Sequence, residues 1–454
     1  MSTSGLSRRE FIRAGAGTAV AGSVGGTSIL ISKEKVQALP RAAAASDRVR
    51  LGSIGTGVRG CTLIRTALAC PGAEIVAACD LYDGRLTAAK EYANKDLFTT
   101  KDYRAILERP DIDAVFVATP DHWHARIVQE ACAAGKDVYC EKTMSHTVEE
   151  GFTMVGAMQT HKRIVQVGSQ RASSILYAKA REIVMSGALG QVTAMEAWLD
   201  RNDESGAWLY PIPPDASEKT IDWKQFLGDA PLRPFDAKRF FRWRCFRDYG
   251  EGIPGDIYVH LLTGIYFIAG ITAPPLRAES MGGLFRWKED RDVPDLMWTL
   301  YDYGDFRVSI RSNLNNESVD VTRIFGTQGT LEIKGNLLTL TPQDTKPRPE
   351  PYSILGWPQK LREDYLRQWH AEHPEPAPGQ YWVEREAESF SAPNGYDDSR
   401  DHINNFIQSV RTRQAPVEDA VFGNNVALAC HMANYSETKK TIATWDAATK
   451  RIVG

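Results

Sequence analysis

Cysteine is scarce. The 454-residue chain holds seven, with no Cys-x-x-Cys pair, too few and too scattered for a disulfide framework. Long hydrophobic runs are also missing. A membrane span needs about 18 or more apolar residues, and the most apolar stretch, residues 14–31, is mostly Gly, Ala, Ser and Thr. Positive charge is not in excess: the net charge is −3. The first 45 residues carry six basic and two acidic side chains, so the remaining body stands at −7. Such a body is not built to neutralise nucleic-acid phosphates. No internal repeat is visible. What is present, 43% hydrophobic and 24% charged residues, is ordinary globular composition, which excludes a mainly disordered, collagen-like or coiled-coil chain. The length sets an expectation of two or three domains with sizeable cores.

Residues 7–13 read Ser-Arg-Arg-Glu-Phe-Ile-Arg, followed by a weakly hydrophobic Ala/Gly-rich run and small residues from Ala38 to Ala45. Their order resembles a twin-arginine export signal with an A-x-A type cleavage. It implies an exported, periplasmic protein handled by the twin-arginine machinery. That route carries folded proteins, so a cofactor would be loaded before export and held tightly.

From Arg48 the pattern changes. Short apolar runs (49–54, 74–79, 113–118, 138–140, 164–167) alternate with helical stretches, the signature of a doubly wound parallel sheet with helices on both faces. After about residue 170, strand-like segments dominate: 192–199, the pair 297–303 and 306–313 around Gly304-Asp305, and the pair 323–325 and 330–333. These hairpin signals point to an α+β domain with an open, mainly antiparallel sheet. Residues 200–255 read as long ordered loops, 256–269 as a helix and 341–395 as a Pro-rich insertion or lid. Helical patterns return at 401–413 and 420–440. The expected division is 1–45 signal, 46–170 nucleotide-binding domain and 171–454 second domain, with the final helices free to pack back on the first domain.

Gly55-Thr56-Gly57-Val58-Arg59-Gly60 follows the first strand and opens a helix. In this G-x-G-x-x-G the first glycine permits the tight turn and the second lets backbone approach a pyrophosphate. The third allows close helix–strand packing, with the helix N-terminus facing the negative charge. Asp80, 20 residues after Gly60 at the end of the next strand, suits a carboxylate on the ribose hydroxyls that repels a 2′-phosphate. The cofactor expected is NAD or NADP, with NAD favoured; Arg85 is the residue that could instead reach a phosphate.

Three further segments carry a family resemblance: Ala118-Thr119-Pro120-Asp121-His122-Trp123-His124, Gly135 to Thr143 containing Glu141-Lys142-Thr143, and Gly252 to His260 containing Asp256-x-x-x-His260. Gly187-Ala188-Leu189-Gly190 also fits. In this order they resemble the glucose–fructose oxidoreductase, inositol dehydrogenase and MocA-like (Gfo/Idh/MocA) family over roughly residues 48–440. The resemblance implies a Rossmann domain, a second domain whose open sheet often makes homodimers or homotetramers, and a carbohydrate substrate. It places Thr119, Pro120 and His124 beside the cofactor and Glu141 at the nicotinamide ribose; Glu141 could equally be a salt-bridge partner. Two departures stand out. Thr143 replaces the usual proline, and Thr263 stands where many members carry an acid.

Hydride transfer from an alcohol needs a base for the hydroxyl proton and positive charge at the developing oxyanion. Asp256 and His260 are four apart, so a helix presents both on one face. The expected roles are His260 as general base or acid, Lys142 as oxyanion stabiliser, and Asp256 as orienting or tuning group. Lys142 and His260 would also contact substrate, with Arg171 a further substrate contact or an interdomain salt bridge. His122 and His124 lack a third metal ligand at readable spacing, so no metal is expected. Phe240 to Arg247 interleaves aromatics and arginines, which suits sugar stacking or ordinary packing. The cysteines read as buried thiols. Three functions stay open: an exported sugar, glycoside or polyol oxidoreductase; a redox-neutral NAD-dependent glycosidase working by oxidation, elimination, hydration and reduction; and a non-catalytic nucleotide or sugar sensor.

Overall fold

The computed structural model describes residues 48–343, 350–374 and 387–454, with two short strands, β1 (Ser23–Val24) and β2 (Thr27–Leu30). The Arg8-Arg9 pair and the expected cleavage segment lie outside the described residues. Among the described residues no helix is long and apolar enough to cross a membrane.

The apolar runs of the first half become β3 (Val49–Ile54), β4 (Ala73–Cys79), β5 (Phe98–Thr100), β6 (Ala114–Val117), β7 (Asp137–Cys140) and β8 (Val165–Val167). They form one sheet in the order β5-β4-β3-β6-β7-β8, every pairing parallel. β6 and β7 are buried at every position, as strands covered on both faces must be. The strand order reverses between β3 and β6. At that switch point the loops leaving the two carboxyl ends part and open a crevice.

The second half contributes β9 (Val192–Trp198), β10 (Arg277–Gly283), β11 (Leu296–Asp302), β12 (Arg307–Asn313), β13 (Val321–Gly326), β14 (Gly329–Lys334), β15 (Leu337–Pro342), β16 (Glu388–Ser391), β17 (Ala443–Asp446) and β18 (Arg451–Val453). Together with β1 and β2 they make a twelve-stranded sheet, order β1-β2-β16-β15-β14-β13-β9-β12-β11-β10-β17-β18. Its pairings are antiparallel except β9 with β12 and β2 with β16. Burial alternates along β11 and β12, so one face packs and the other faces outward. Helices Ile175–Met185 and Val259–Ala269 contribute Leu176, Tyr177, Leu261, Leu262 and Ile265 to the packed face. The fold is therefore a Rossmann domain joined to an α+β domain with an open, mainly antiparallel sheet.

Two details differ from the sequence reading. The Pro-rich segment 341–395 is not wholly outside the core, because β16 extends the sheet by pairing with β15; its helix Gln359–Glu372 buries no residue. The helix expected from Asp256 begins earlier, as a π-helical turn over Pro254–Tyr258 that leads into the α-helix Val259–Ala269.

The last two long helices bind the halves together. Ile403, Phe406 and Ile407 of Asp398–Thr412 join the Rossmann cluster of Leu51, Phe116 and Tyr139. Helix Ala420–Lys439, capped by the Asp419 carboxylate on the Phe422 amide at 2.9 Å, meets β8 at Gly423. A Cβ on Gly423 would fall 2.4 Å from a Val167 methyl.

Candidate active site

The crevice at the switch point is a cleft of about 380 Å³ between the domains. Its nucleotide end is built by the glycine loop. Gly55 has φ +84°, and a Cβ there would meet the Ala118 carbonyl at 2.5 Å. A Cβ on Gly60 would lie 2.0 Å from the Gly55 carbonyl oxygen, so this glycine sets the helix against the strand. Gly57 caps helix Val58–Leu68 without any side-chain cap, and its first turn holds no acid. The leading amides are therefore free to bind an anion. Val58, at the mouth of this turn, is 81% exposed.

Gly55, Gly57, Val58, Arg59, Asp80, Thr119 and Pro120 all face the cleft. Thr56 and Gly60 do not; they stand behind the loop. The Asp80 carboxylate accepts the Thr56 amide at 2.8 Å and the Tyr82 amide at 3.1 Å, and lies 3.6 Å from Arg85. The Arg85 guanidinium in turn rests over the rings of Phe240 and Phe241 at 5.2 and 5.1 Å. Arg59 donates to Glu141 at 2.6 Å. Glu141, itself buried, thus faces the cleft as the partner of a partly exposed arginine.

The resemblance placed His124 beside the cofactor, but the structure puts it elsewhere. The ring is fully buried, with Nδ1 2.7 Å from the Thr143 carbonyl and Nε2 2.9 Å from the Thr119 carbonyl. It ties the two cofactor-side loops to each other and does not face the cleft. His122 is similarly structural, its Nε2 2.9 Å from the Phe226 carbonyl.

At the other end the three expected catalytic residues converge. Lys142 Nζ donates to Asp256 Oδ1 at 2.6 Å and to the Asp256 carbonyl at 2.7 Å. His260 faces the same cleft, its Nδ1 3.2 Å from the Ser169 carbonyl. Thr143, in place of proline, anchors this loop: its hydroxyl donates to the Gly255 carbonyl at 2.6 Å, and the Lys142–Thr143 peptide is cis. The π-turn supplies Asp256 just where this loop lands, and such turns occur often at functional sites.

The environment sets the charge states. Burial alone would raise the Asp256 carboxyl, but Lys142, Arg244 and Arg201 hold it well below the usual carboxylate range. Burial lowers the Lys142 ammonium, with Asp256 opposing that shift. Burial also drives the His260 imidazole well below its ordinary value, reinforced by the charges of Lys142 and Arg171. The ring is neutral at neutral pH.

Arg171 does not line the cleft, so its reading as a substrate contact is corrected. It pairs with Asp320 at 2.5 Å, donates to the Tyr177 hydroxyl and lines a separate recess. It stands at the start of the short 3-10 turn Arg171–Ser173, near enough for its charge to act on His260. Around Asp256 stand three further cleft residues, Arg201, Tyr210 and Arg244, and the buried Trp208, none of which a motif marks individually. Arg201, Trp208 and Arg244 all donate to Asp256, at 3.5, 2.8 and 2.9 Å, and Tyr210 lines the same end. The aromatic–arginine run 240–247 carried the signal for Arg244. Its other arginines serve packing: Arg242 donates to the Tyr210 carbonyl at 2.9 Å, and Arg247 pairs with Glu437. All seven cysteines are buried and free.

Residues 49–169 match the Gfo/Idh/MocA oxidoreductase family, an NAD-binding Rossmann fold. The match covers the glycine loop, Asp80 and Lys142, and gives an NAD-binding Rossmann domain over those residues. Over 189 residues, 42% of this chain and 52% of the relative, the sequence is 32% identical to the uncharacterized oxidoreductase YrbE of Bacillus subtilis. It is 33% identical over 177 residues to a glycosyl hydrolase family 109 protein of a Shewanella species, covering 35% of this chain and 38% of that one. The chain thus spans about half or less of the curated relatives it matches. A solved levoglucosan dehydrogenase, in complex with NADH and levoglucosan, superposes with a TM-score of 0.63 over 87% of this chain and 99% of that one, at 19% identity. That likeness shows a shared two-domain fold.

Proposed function

We propose that this chain is an exported NAD(P)-dependent oxidoreductase. It moves hydride between a tightly held nicotinamide cofactor, with NAD favoured, and a hydroxyl or carbonyl of a sugar, glycoside or polyol. The observation that carries the reading is the convergence of Lys142, Asp256 and His260 on the same cleft as the glycine loop and Asp80. The glycine cradle and the free amides at Val58 fit a dinucleotide, and the relatives' names supply the carbohydrate class. The Arg8-Arg9 segment supports export, and the open sheet face supports a homodimer or homotetramer.

When bound, the cofactor supplies a two-electron hydride acceptor or donor. The chain's own residues do the rest. A carbonyl only accepts, so the proton on His260 sits on Nδ1 and points at Ser169. That leaves the Nε2 lone pair to take the substrate hydroxyl proton as the C–H bond delivers hydride. Lys142 has three N–H bonds, and two are spent on Asp256. The third is available for the oxygen that gains negative charge. Asp256 fixes Lys142 in place and keeps it charged. In the reverse direction His260 returns the proton to the carbonyl oxygen.

A second reading, the redox-neutral glycosidase, draws support from the similarity to the glycosyl hydrolase family 109 protein. One experiment separates the two. Purified protein is mixed with sugars and glycosides without added cofactor, following both reduced-nicotinamide absorbance and glycoside cleavage. Net reduction without cleavage supports the first reading; cleavage without net reduction supports the second. Neither signal from any substrate, with nucleotide bound, leaves the sensor and refutes both.

A further inference from the structure

The substrate end of the cleft carries more positive charge than its partners neutralise. Lys142, Arg201 and Arg244 surround a single carboxylate, Asp256. The cleft's other acids are committed at the nucleotide end, Asp80 beside Arg85 and Glu141 to Arg59. Lys101 is balanced by Asp83 at 2.8 Å. Asp121, behind Arg244, is buried, accepts the Glu251 amide at 3.1 Å, and is pushed up by burial to about 7, so it offsets the excess only in part.

The donors are also aimed. Asp256 already accepts from Lys142, Trp208 and Arg244, with Arg201 at the limit of contact. Arg244 spends only its Nε on Asp256, and its guanidinium carbon lies over the Trp243 ring, 4.2 Å from the centroid. Its two terminal amines have no hydrogen-bond partner among the described residues and form a fixed, planar fork. Arg201 contributes one weakly held amine beside it, 3.4 Å from the Gly206 carbonyl. A neutral polyol would leave these charges uncompensated in a partly desolvated cleft. An oxyanion would meet a paired, pre-oriented guanidinium, the geometry that recognises carboxylate and phosphate.

Resting on the oxidoreductase reading above, we infer that the substrate is a sugar carrying a fixed negative charge, held by Arg244 and Arg201 beside the Lys142–His260 pair. The ring hydroxyl to be oxidised then faces His260 while the anionic group occupies the arginine fork.

The test uses the nucleotide-loaded full chain and three probes of matched ring: glucose, glucuronate and glucose 6-phosphate. Binding is read by isothermal titration calorimetry, and hydride transfer from reduced-nicotinamide absorbance. A charge-assisted hydrogen bond predicts that at least one anionic probe binds roughly 10- to 100-fold more tightly than glucose. That advantage falls with added salt. Glucuronate and glucose 6-phosphate identify which anion the fork prefers. In Arg201→Gln and Arg244→Gln the anionic-to-neutral ratio falls toward one; Arg201→Gln guards against a folding failure, because its contact with Asp256 is the longest. Glucose binding as tightly as both anions, or an advantage that survives in both variants, overturns the inference. Tight anion binding that both variants lose, with no hydride transfer from any sugar in the screen above, keeps the arginine fork as an anion site and removes the oxidoreductase reading instead.

Discussion

Lys142→Met keeps the length of the side chain and removes its charge. Asp256 would still hold Arg244 at 2.9 Å and Trp208 at 2.8 Å, so the carboxylate stays ionised and the π-turn keeps its anchor. Two things are lost. One is a charged donor to the oxygen that becomes anionic; removal of one such donor from a preorganised site costs about 3–4 kcal/mol, or roughly 10²- to 10³-fold in kcat. The other is the Lys142 charge that helps depress His260. Without it the imidazole rises toward its ordinary value, although burial still holds it low. The wild type should keep the acid limb of kcat/KM well below pH 6.5, and the variant should show that limb at higher pH. The assay is steady-state turnover across pH on the substrate found by the screen above, with circular dichroism to confirm folding. Turnover within threefold of wild type and an unmoved acid limb would refute the assignment of Lys142 and its coupling to His260.

Other perturbations follow from the same geometry. Gly60→Ala forces a methyl against the Gly55 carbonyl; because backbone must move, nucleotide affinity by calorimetry should drop at least roughly tenfold, and unchanged affinity would count against the cradle. Asp80→Ser removes the carboxylate that opposes a 2′-phosphate while leaving Arg85, so the NADP-to-NAD preference should rise by roughly tenfold or more; no change would remove Asp80 from cofactor selection. Glu418 lies buried 3.4 Å from the Thr263 hydroxyl, and burial raises it to about 8. With the folded value above the unfolded 4.5, its favourable contribution is complete below about pH 4.5 and lost as pH climbs through about 8. Glu418→Gln should therefore flatten the stability decline across that window, a difference of at most several kcal/mol in urea unfolding; parallel profiles would contradict it.

How much was legible in the chain follows from where each signal is local. The glycine loop, Asp80, Lys142, Asp256 and His260 were readable because each sits at a strand end or helix start whose geometry a short motif dictates. The strand order β5-β4-β3-β6-β7-β8 then brings them to one crevice. The π-turn at Pro254–Tyr258 was not readable, since its i, i+4 pattern also suits an α-helix. Arg171 and His124 were misplaced because motif position carries no side-chain direction: a 3-10 turn sends Arg171 to Asp320, and two carbonyls capture His124. Arg201 and Trp208 reach Asp256 from a loop some 50 residues away in sequence; only the tertiary fold reveals that approach. Thr263 lacks the acid its position often carries, and Glu418 brings one to it from the residue before the cap of the last long helix.

The central claim is that a dinucleotide held between the glycine loop and the Lys142–His260 end is the working cofactor. The most direct measurement is to denature the purified protein, identify the released nucleotide by mass spectrometry, and follow its redox state in the intact protein as substrate is added. Near-stoichiometric NAD(H) or NADP(H) should survive dialysis and change redox state with substrate in wild type but not in His260→Ala. An empty protein that binds added nucleotide only weakly, or a bound nucleotide whose redox state responds equally in both proteins, would contradict it.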